Sequence, residues 1–344
     1  MRRRTLLSAA LGLGALAGLT SRNALPDLWS PTAPGANEAA TGLTLYVGSD
    51  LAFGTTVTIK VLHDDPLAAQ AAIQDALHQV RKIDSLMSLH QENSQVFELN
   101  RRGILQGPDA HLRYVLAFAQ RLSALTAGAF DITVQPLWQA FSLVSATGAI
   151  PAQNEIAAAK SLVGWQRVEL SQQHVRLQSP GMAITLNGVA QGYAVDLALE
   201  ALRERGIRHA LLDTGEFGSI GGKSQSRPWV LGVGHPRQHD AMLATVKMDG
   251  RKIATSGDYA TFFSPDLVHH HIFDPTSGKS PHELASVTVV APTGVLADGL
   301  STAFMVMGTE KALALAKQLQ DVDAVLVSKN GAVHRTLRFP ELQT

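Results

Sequence analysis

Strand-like and helix-like segments follow one another irregularly along this chain, and that order restricts the folds open to it. Residues 55–62 are rich in β-branched side chains and predict a strand. Apolar residues recur every three or four positions over residues 73–87 and again over 112–125, as on one buried helix face. Residues 168–170 and 175–177 predict a hairpin. Because hairpins interrupt a regular doubly wound sheet, we expect a mixed α/β domain (α+β).

The second half of the chain continues this mixture. Residues 193–205 predict a helix that stops at Gly206, a common helix C-terminal residue. Two successive helices are predicted over residues 298–307 and 310–319, and residues 128–134 combine a helix stop with a strand-like run. Further strands are predicted at residues 209–213, 229–233, 286–291 and 324–328.

The composition is that of a folded and electrically neutral domain. Of the 344 residues, 45% are apolar, which is enough for a substantial core, and 29 basic residues balance 29 acidic ones. Without a net positive charge, nucleic acid is not an expected partner. The sequence has no cysteine, which excludes disulfides, thiolate metal sites and a lipid anchor on an N-terminal cysteine. We predict one large domain over residues 43–340.

The first residues predict export. Residues 2–4 are all arginine and precede an uncharged stretch over 5–21 that is rich in Leu, Ala and Gly. This pattern is typical of an export signal, and the arginine pair fits the twin-arginine type, which carries folded proteins to the periplasm. An ordinary secretory signal or an uncleaved anchor is the alternative. We predict a signal segment over residues 1–24 and a flexible leader over 25–42.

A strand-to-helix turn over residues 186–196 is the first candidate site. Gly188 and Gly192 lie in it, and small residues let a backbone approach a ligand closely. The unpaired N–H groups at the start of the following helix are suited to phosphate. Most turns of this kind are purely structural. This segment alone therefore does not decide between a phosphate-binding turn and a structural turn.

Asp298 and Thr302 form a second candidate site. They are four residues apart, so both side chains lie on one face if this segment is helical. A carboxylate and a hydroxyl at that spacing can bind Mg²⁺ and leave room for phosphate oxygens. The structural alternative is an acidic residue favoured at a helix N-terminus, with a threonine bonded back to its own helix.

Two further segments carry polar side chains. In an extended chain His269 and His271 share one face and His270 the other, so the three cannot bind one ion together. One histidine could act as an acid, a base or a phosphate ligand, and a partly solvated strand end is the alternative. Residues 254–259 place two hydroxyls next to a glycine, which suits either phosphate or a helix N-cap.

Taken together and in order, these segments resemble the ApbE family, the FAD:protein FMN transferases. The resemblance runs from about residue 50 to residue 308. Each motif alone is common, but eight in the family's order are specific. The motifs are Phe53-Gly54-Thr55; Met87-Ser88 with Ser94, Leu99 and Asn100; residues 128–133 with Pro136 and Trp138; residues 187–196; His235-Pro236; residues 255–259; residues 271–275 with Gly278; and Ala297-Asp298 with Thr302.

The resemblance implies a T-fold-like domain that transfers the FMN half of FAD to a Thr or Ser hydroxyl of an acceptor protein and releases AMP. It places Mg²⁺ on the pyrophosphate, held by Asp298, Thr302 and the carbonyl of Ala190. It gives His271 a role in positioning phosphate or assisting proton transfer, and it also places Asp298 at the hydroxyl. The implied contacts with the flavin nucleotide are made by Met87, Asn187, Gln191, Gly192, Asp196, Glu216, Thr255, Gly257 and His271.

The sequence departs from the family pattern at two places. Gln191 stands where many members have lysine, which removes a cation from the phosphate site. Glu216 ends a Thr-Gly-Glu run where many members have Gly-Gly-Asp, and it could accept a hydrogen bond from ribose or adenine. These runs resemble the branch that accompanies nitrous-oxide reductase maturation. That branch implies a membrane-bound acceptor flavoprotein with an exported FMN-binding domain.

The sequence leaves two other functions open. A periplasmic FAD carrier without transferase activity is compatible with Gln191, although such a carrier has no need for Asp298, Thr302 and His271. An FAD pyrophosphatase would replace the acceptor hydroxyl by water. The sequence does not separate the pyrophosphatase from a transferase, because the residues are the same.

Overall fold

Strands and helices alternate through the parts of the chain that the computed structural model describes, residues 42–145, 148–224 and 226–342. The predicted signal and all but the last residue of the predicted leader lie outside these ranges. The strands are β1 (Thr44–Ala52), β2 (Thr55–His63), β3 (Ile104–Gln106), β4 (Val168–Leu170), β5 (His174–Leu177), β6 (Ala210–Asp213), β7 (Phe217–Ile220), β8 (Val230–His235), β9 (Gln238–Lys247), β10 (Lys252–Gly257), β11 (Leu284–Ala291), β12 (Asp323–Ser328) and β13 (Val333–Arg335). The helices are α1 (Pro66–Met87), α2 (Gln95–Arg102), α3 (Ala110–Leu125), α4 (Gln135–Ser145), α5 (Gln153–Ser161), α6 (Ala190–Glu204) and α7 (Gly294–Gln318). Among these described helices, none is long and apolar enough to cross a bilayer.

The largest sheet has eight strands in the order β1-β2-β6-β7-β10-β11-β12-β13. Every neighbouring pair in it is antiparallel. A small sheet has the order β3-β5-β4, and β8 and β9 form a separate hairpin. The predicted mixed α/β fold and the predicted hairpin at β4 and β5 are therefore confirmed.

Both faces of the large sheet are covered. On one face Val287 and Val289 of β11 join the main core, to which α1, α6 and α7 contribute most of the helical side chains. On the other face Val290 packs in a second cluster with Val246 of β9 and Trp229, which precedes β8. Because it is covered on both sides, β11 is buried at every position instead of alternating.

Helix α7 is divided at Gly308. This residue has φ 73° and ψ 173°, far from helical values. A carboxylate oxygen of Glu283 accepts the N–H of Thr309 at 2.9 Å, so it caps the segment that follows the break. The two successive helices predicted here are confirmed, and the break separates them.

The strand-like interpretation of residues 128–134 is wrong. Residues Ile132–Val134 form one 3-10 turn that leads directly into α4. One carboxylate oxygen of Asp131 accepts both the N–H and the hydroxyl of Thr133, at 2.8 and 2.6 Å. This side-chain cap starts a helix where the β-branched residues alone suggested a strand.

Candidate active site

Helices α6 and α7 cross at two glycines, Gly192 and Gly294. A Cβ atom on either residue would fall well inside van der Waals contact with the carbonyl oxygen of the other. Only glycine therefore allows the two backbones to approach this closely. Asp196, one turn further along α6, accepts the N–H groups of Gly294 and Val295 at 2.7 and 3.0 Å. This carboxylate caps the start of α7 and holds the crossing together.

Asp298 lies at the glycine crossing. It is 3% exposed, and its Oδ2 accepts the N–H of Gly192 at 3.0 Å. Thr302 lies one turn later, where its Oγ1 is 2.9 Å from the place that a Cβ on Gly188 would occupy. Ala190 stands between the two α6-side glycines, at the first position of that helix. The structure thus places Asp298 and Thr302 against the glycines on either side of Ala190.

A second buried carboxylate, Glu216, lies near Asp298. Its Oε2 accepts the N–H of Thr255 at 3.2 Å. Burial raises the pKa of Glu216 well above its usual range, and the charge of Asp298 raises it further. Burial also raises the pKa of Asp298 to about 7, although the N–H of Gly192 acts in the opposite direction. Neighbouring buried carboxylates resist ionising together, so a divalent cation beside them would relieve an electrostatic cost.

The donor atoms at the crossing suit magnesium. The predicted ligands offer a carboxylate, a hydroxyl and a backbone carbonyl, all of them oxygen donors, which Mg²⁺ prefers. In the described ranges, no three His, Cys, Asp or Glu side chains gather into a metal centre. A cation here would therefore depend on hydroxyl, backbone and phosphate oxygens as well as on Asp298.

Hydroxyl groups reach the crossing from β10. Oγ of Ser256 lies 2.8 Å from Oγ of Ser301 and 3.3 Å from Oγ1 of Thr302. Thr255 and Gly257 lie on the same strand, and β10 pairs with β11 in register up to its last residue. No helix follows within the described residues 258–263, so the helix N-cap alternative for residues 254–259 is wrong. No role was predicted for Ser301 from the sequence. Its hydroxyl, directly before Thr302 in the sequence, is the signal that could have identified it.

His271 makes two contacts with the carbonyl of Thr261. Its backbone N–H donates to that oxygen at 3.0 Å, and its Nδ1 also lies 3.0 Å from it. A carbonyl can only accept, so we assign the proton of the neutral ring to Nδ1 and the lone pair to Nε2. Burial lowers the pKa of His271 below its ordinary value. The ring is therefore neutral at pH 7 and can accept a proton.

The histidine run divides as predicted. His270 is fully buried, whereas His269 and His271 are partly exposed. Nε2 of His270 lies 3.1 Å from the carbonyl of Pro281, and its backbone N–H donates to Oγ of Ser280 at 2.8 Å. Burial lowers the pKa of His270 to about 4, so the folded chain keeps this ring neutral.

We expect the free energy of unfolding to fall as the pH falls from about 6.5 to 4, by up to about 3 kcal/mol from His270 alone. The unfolded chain binds a proton in this range that the folded chain rejects, so this stability is present above the unfolded pKa and is lost on acidification. Denaturant titrations should give a smaller pH slope for His270→Gln, whose amide can still donate to Pro281. His90→Gln, at an exposed position, is the matched control; an unchanged slope in the His270 variant would contradict the assignment.

The profile of the ApbE family matches residues 53–326, which is most of the chain. The chain belongs to the ApbE family. It is 30% identical over 304 residues to the FAD:protein FMN transferase of Salmonella typhimurium, covering 85% of this chain and 86% of that protein. The crystal structure of the ApbE protein of Thermotoga maritima has a TM-score of 0.77 at 29% identity, covering 86% of this chain and 97% of that one. The apo flavinyl transferase ApbE of Pseudomonas stutzeri has a TM-score of 0.76 at 29% identity, covering 88% and 98%.

In this ApbE chain, Gln191 ties α6 to the turn between β6 and β7. Its Nε2 donates to the carbonyl of Thr214 at 2.6 Å, and the N–H of Thr214 donates to the carbonyl of Glu216 at 3.0 Å. Gln191, which stands where the resemblance leads us to expect lysine, therefore helps to position the turn that carries Glu216.

Three other residues that were predicted to contact FAD differ in how accessible they are to a ligand. Met87 is 2% exposed and packs in the main core, so its position does not support the predicted contact with a flavin or adenine ring. Both oxygens of Asp196 accept N–H groups of α7, which gives it a structural role. Asn187 is exposed just before α6. The contacts of Asp196 and Asn187 with FAD stay predictions.

Proposed function

We propose that this ApbE chain is a magnesium-dependent FAD:protein FMN transferase that attaches the FMN half of FAD to a Thr or Ser hydroxyl of an acceptor protein and releases AMP. The observation that carries the proposal is the buried carboxylate of Asp298 at the glycine crossing, with the hydroxyl of Thr302 one turn away. The names of its relatives support the same flavin chemistry.

Asp298, Thr302 and the carbonyl of Ala190 would hold Mg²⁺ and leave positions for pyrophosphate oxygens. Bound there, the cation would offset negative charge at the phosphorus and on the leaving AMP. The starts of α6 and α7 meet at the same place, and the positive ends of the two helix dipoles favour an anionic ligand there. These groups together make the crossing a site for the pyrophosphate of FAD.

His271 would take the proton of the acceptor hydroxyl. The hydroxyl oxygen attacks the phosphorus on the FMN side, and the bond from that phosphorus to the bridging oxygen breaks. AMP leaves with the bridging oxygen, the acceptor gains a phosphoester-linked FMN, and the proton passes to Nε2 of His271. The Nδ1 contact with Thr261 supports this role, because it leaves Nε2 as the accepting nitrogen.

The export signal that the sequence predicts over residues 1–24 would place this reaction in the periplasm. The acceptor we propose is a membrane-bound electron-transfer flavoprotein whose FMN-binding domain is exported. In that arrangement the twin-arginine route would deliver the folded transferase to the same compartment as its substrate domain.

The experiment that tests the proposal measures AMP release from FAD by the purified chain without its signal, with and without Mg²⁺ and an acceptor domain, alongside the intact mass of the acceptor. Magnesium-dependent AMP release with a flavin-sized mass gain is the expected result. AMP and free FMN without labelling would instead indicate a pyrophosphatase. Tight FAD binding with no AMP under any condition would indicate a carrier.

Gln191→Lys is expected to lower the dissociation constant of FAD by up to about tenfold, or to leave it unchanged. The ammonium group adds positive charge near the phosphates and can still donate to the carbonyl of Thr214. Titration of flavin fluorescence measures the effect. Gln191→Met, which keeps the length but loses the donor, is the control; markedly weaker FAD binding by a well-folded lysine variant would remove Gln191 from the phosphate site.

A further inference from the structure

A buried ionic network lies beside His271. Asp258, directly after β10, is 0% exposed, and Arg237 donates to its two oxygens at 2.8 and 2.7 Å. Nζ of Lys329, just after β12, lies 3.4 Å from Oδ2 of the same carboxylate. A buried carboxylate without partners would be strongly destabilising, so the two cations account for its place. We call Arg237, Asp258 and Lys329 the ionic network.

The ionic network joins parts of the fold that are far apart in the sequence. Arg237 stands in the turn of the β8–β9 hairpin, and Asp258 and Lys329 stand at the ends of two strands of the large sheet. Nζ of Lys329 also donates to the carbonyl of Leu267 at 2.7 Å. Lys329 therefore connects Asp258, directly after β10, with Leu267, which lies near the turn in the middle of the segment that follows.

That segment, residues 259–270, holds His271. Its two halves run side by side: Phe262 bridges His270, and Thr261 accepts from both Nδ1 and the backbone N–H of His271. Leu267, near the turn between the halves, has φ 59°. A left-handed conformation costs a non-glycine residue about 1–2 kcal/mol, so it persists only where other contacts hold it. The bond from Lys329 is such a contact.

We propose that the ionic network is a positioning device for His271: it fixes the 259–270 segment so that the carbonyl of Thr261 holds the proton on Nδ1 and Nε2 is presented to the acceptor hydroxyl. The inference rests on the proposed function, because it assumes that His271 accepts that proton. The charge of Asp258 also favours the protonated ring, which forms as the hydroxyl loses its proton.

Lys329→Met tests the proposal, because it removes the bridge and leaves the Arg237–Asp258 pair in place. We expect the rate constant for flavin transfer to fall about 10- to 100-fold, since small misplacements of a reacting group have effects of that size. FAD affinity should change less than about twofold, because no hydrogen bond or ion pair found within the described residues joins the network to the glycine crossing. Lys329→Arg can still reach both Oδ2 of Asp258 and the carbonyl oxygen of Leu267, so it should restore most of the transfer rate.

Nitrogen NMR of histidine-labelled protein supplies a readout that does not depend on activity. The signal of His271, identified by its loss in His271→Gln, should report the Nδ1-protonated form in the unaltered chain and a mixture of tautomers in Lys329→Met. The control is Arg251→Gln, which breaks a comparable pair with Asp323 (2.7 Å, Asp323 2% exposed). It should lower stability and leave both the tautomer and the transfer rate unchanged.

An unchanged transfer rate in Lys329→Met, or an unchanged His271 signal, would overturn the proposal. So would an equal loss of rate in Arg251→Gln, since that would point to general destabilisation. Failure of the proposed function has a different signature, namely no transfer by the unaltered chain. The NMR comparison would then still show whether the network controls the ring of His271.

Discussion

Replacement of Asp298 by asparagine is expected to abolish flavin transfer and, without divalent cation, to make the folded chain more stable at pH 8. The amide loses the charge that a magnesium ligand needs, so the transfer rate should fall at least about 100-fold. The pKa of Asp298 is raised to about 7 in the folded chain, so its contribution to stability is greatest at low pH and is lost as the pH rises through 7. Asparagine removes the cost of keeping a buried negative charge above pH 7, and its side-chain oxygen can still accept the N–H of Gly192.

Thermal unfolding in the presence of a chelator measures the stability change. We expect a gain of about 1–3 kcal/mol at pH 8 and a smaller one at pH 5, where the unaltered side chain is already neutral. Asp323→Asn is the matched control, because Asp323 is as buried as Asp298 but is paired with Arg251. Loss of that pair should make the chain less stable, the opposite of the result expected for Asp298→Asn. A transfer rate close to that of the unaltered chain would remove Asp298 from the metal site.

Gly192→Ala should destabilise the chain by more than about 3 kcal/mol and remove FAD binding with it. The new methyl group would meet the backbone of Gly294, which cannot move aside as a side chain can, and it would lie 2.7 Å from Cβ of Asp298. The helices would have to separate, and the bond from Gly192 to Asp298 would break. Denaturant unfolding and flavin titration measure the two effects.

Gly299→Ala is the control for that variant. It makes the same change within a buried helix next to Asp298, but its new methyl group would meet the end of the Leu122 side chain, which can rotate away. Alanine also has the higher helix propensity, so we expect a net change of about 1 kcal/mol or less. Equal destabilisation by both variants would contradict the explanation that the loss in Gly192→Ala comes from the close backbone contact of α6 and α7.

Local patterns in the sequence were sufficient for the elements that carry the candidate site. The four-residue spacing of Asp298 and Thr302 required only that their segment be helical, and the two helices predicted over residues 298–307 and 310–319 leave Gly308 between them. The alternation of the three histidines likewise needed no knowledge of distant residues. In each of these places, the information lies within a few consecutive positions.

Contacts between distant segments could not be predicted in the same way. Nothing near Gly192 indicates that it meets Gly294, and nothing near Glu216 indicates a neighbouring Asp298. Asp258 lies in a polar run of the sequence, where a charged residue is normally exposed, so nothing indicated that it is buried beside Arg237. The extended conformation of residues 252–257 likewise depends on pairing with β11, which overrides the turn preference of Ser and Gly.

The division of α7 at Gly308 separates two halves that can open independently. A helix normally frays from its end by losing one i→i−4 hydrogen bond after another, but the ladder is interrupted at this glycine and starts again under the cap of Glu283. Opening of residues 309–318 therefore need not spread to residues 294–307. Amide hydrogens around Asp298 should exchange with solvent far more slowly than those beyond Thr309, so the part of α7 that forms the glycine crossing is insulated from movements at its C-terminal end.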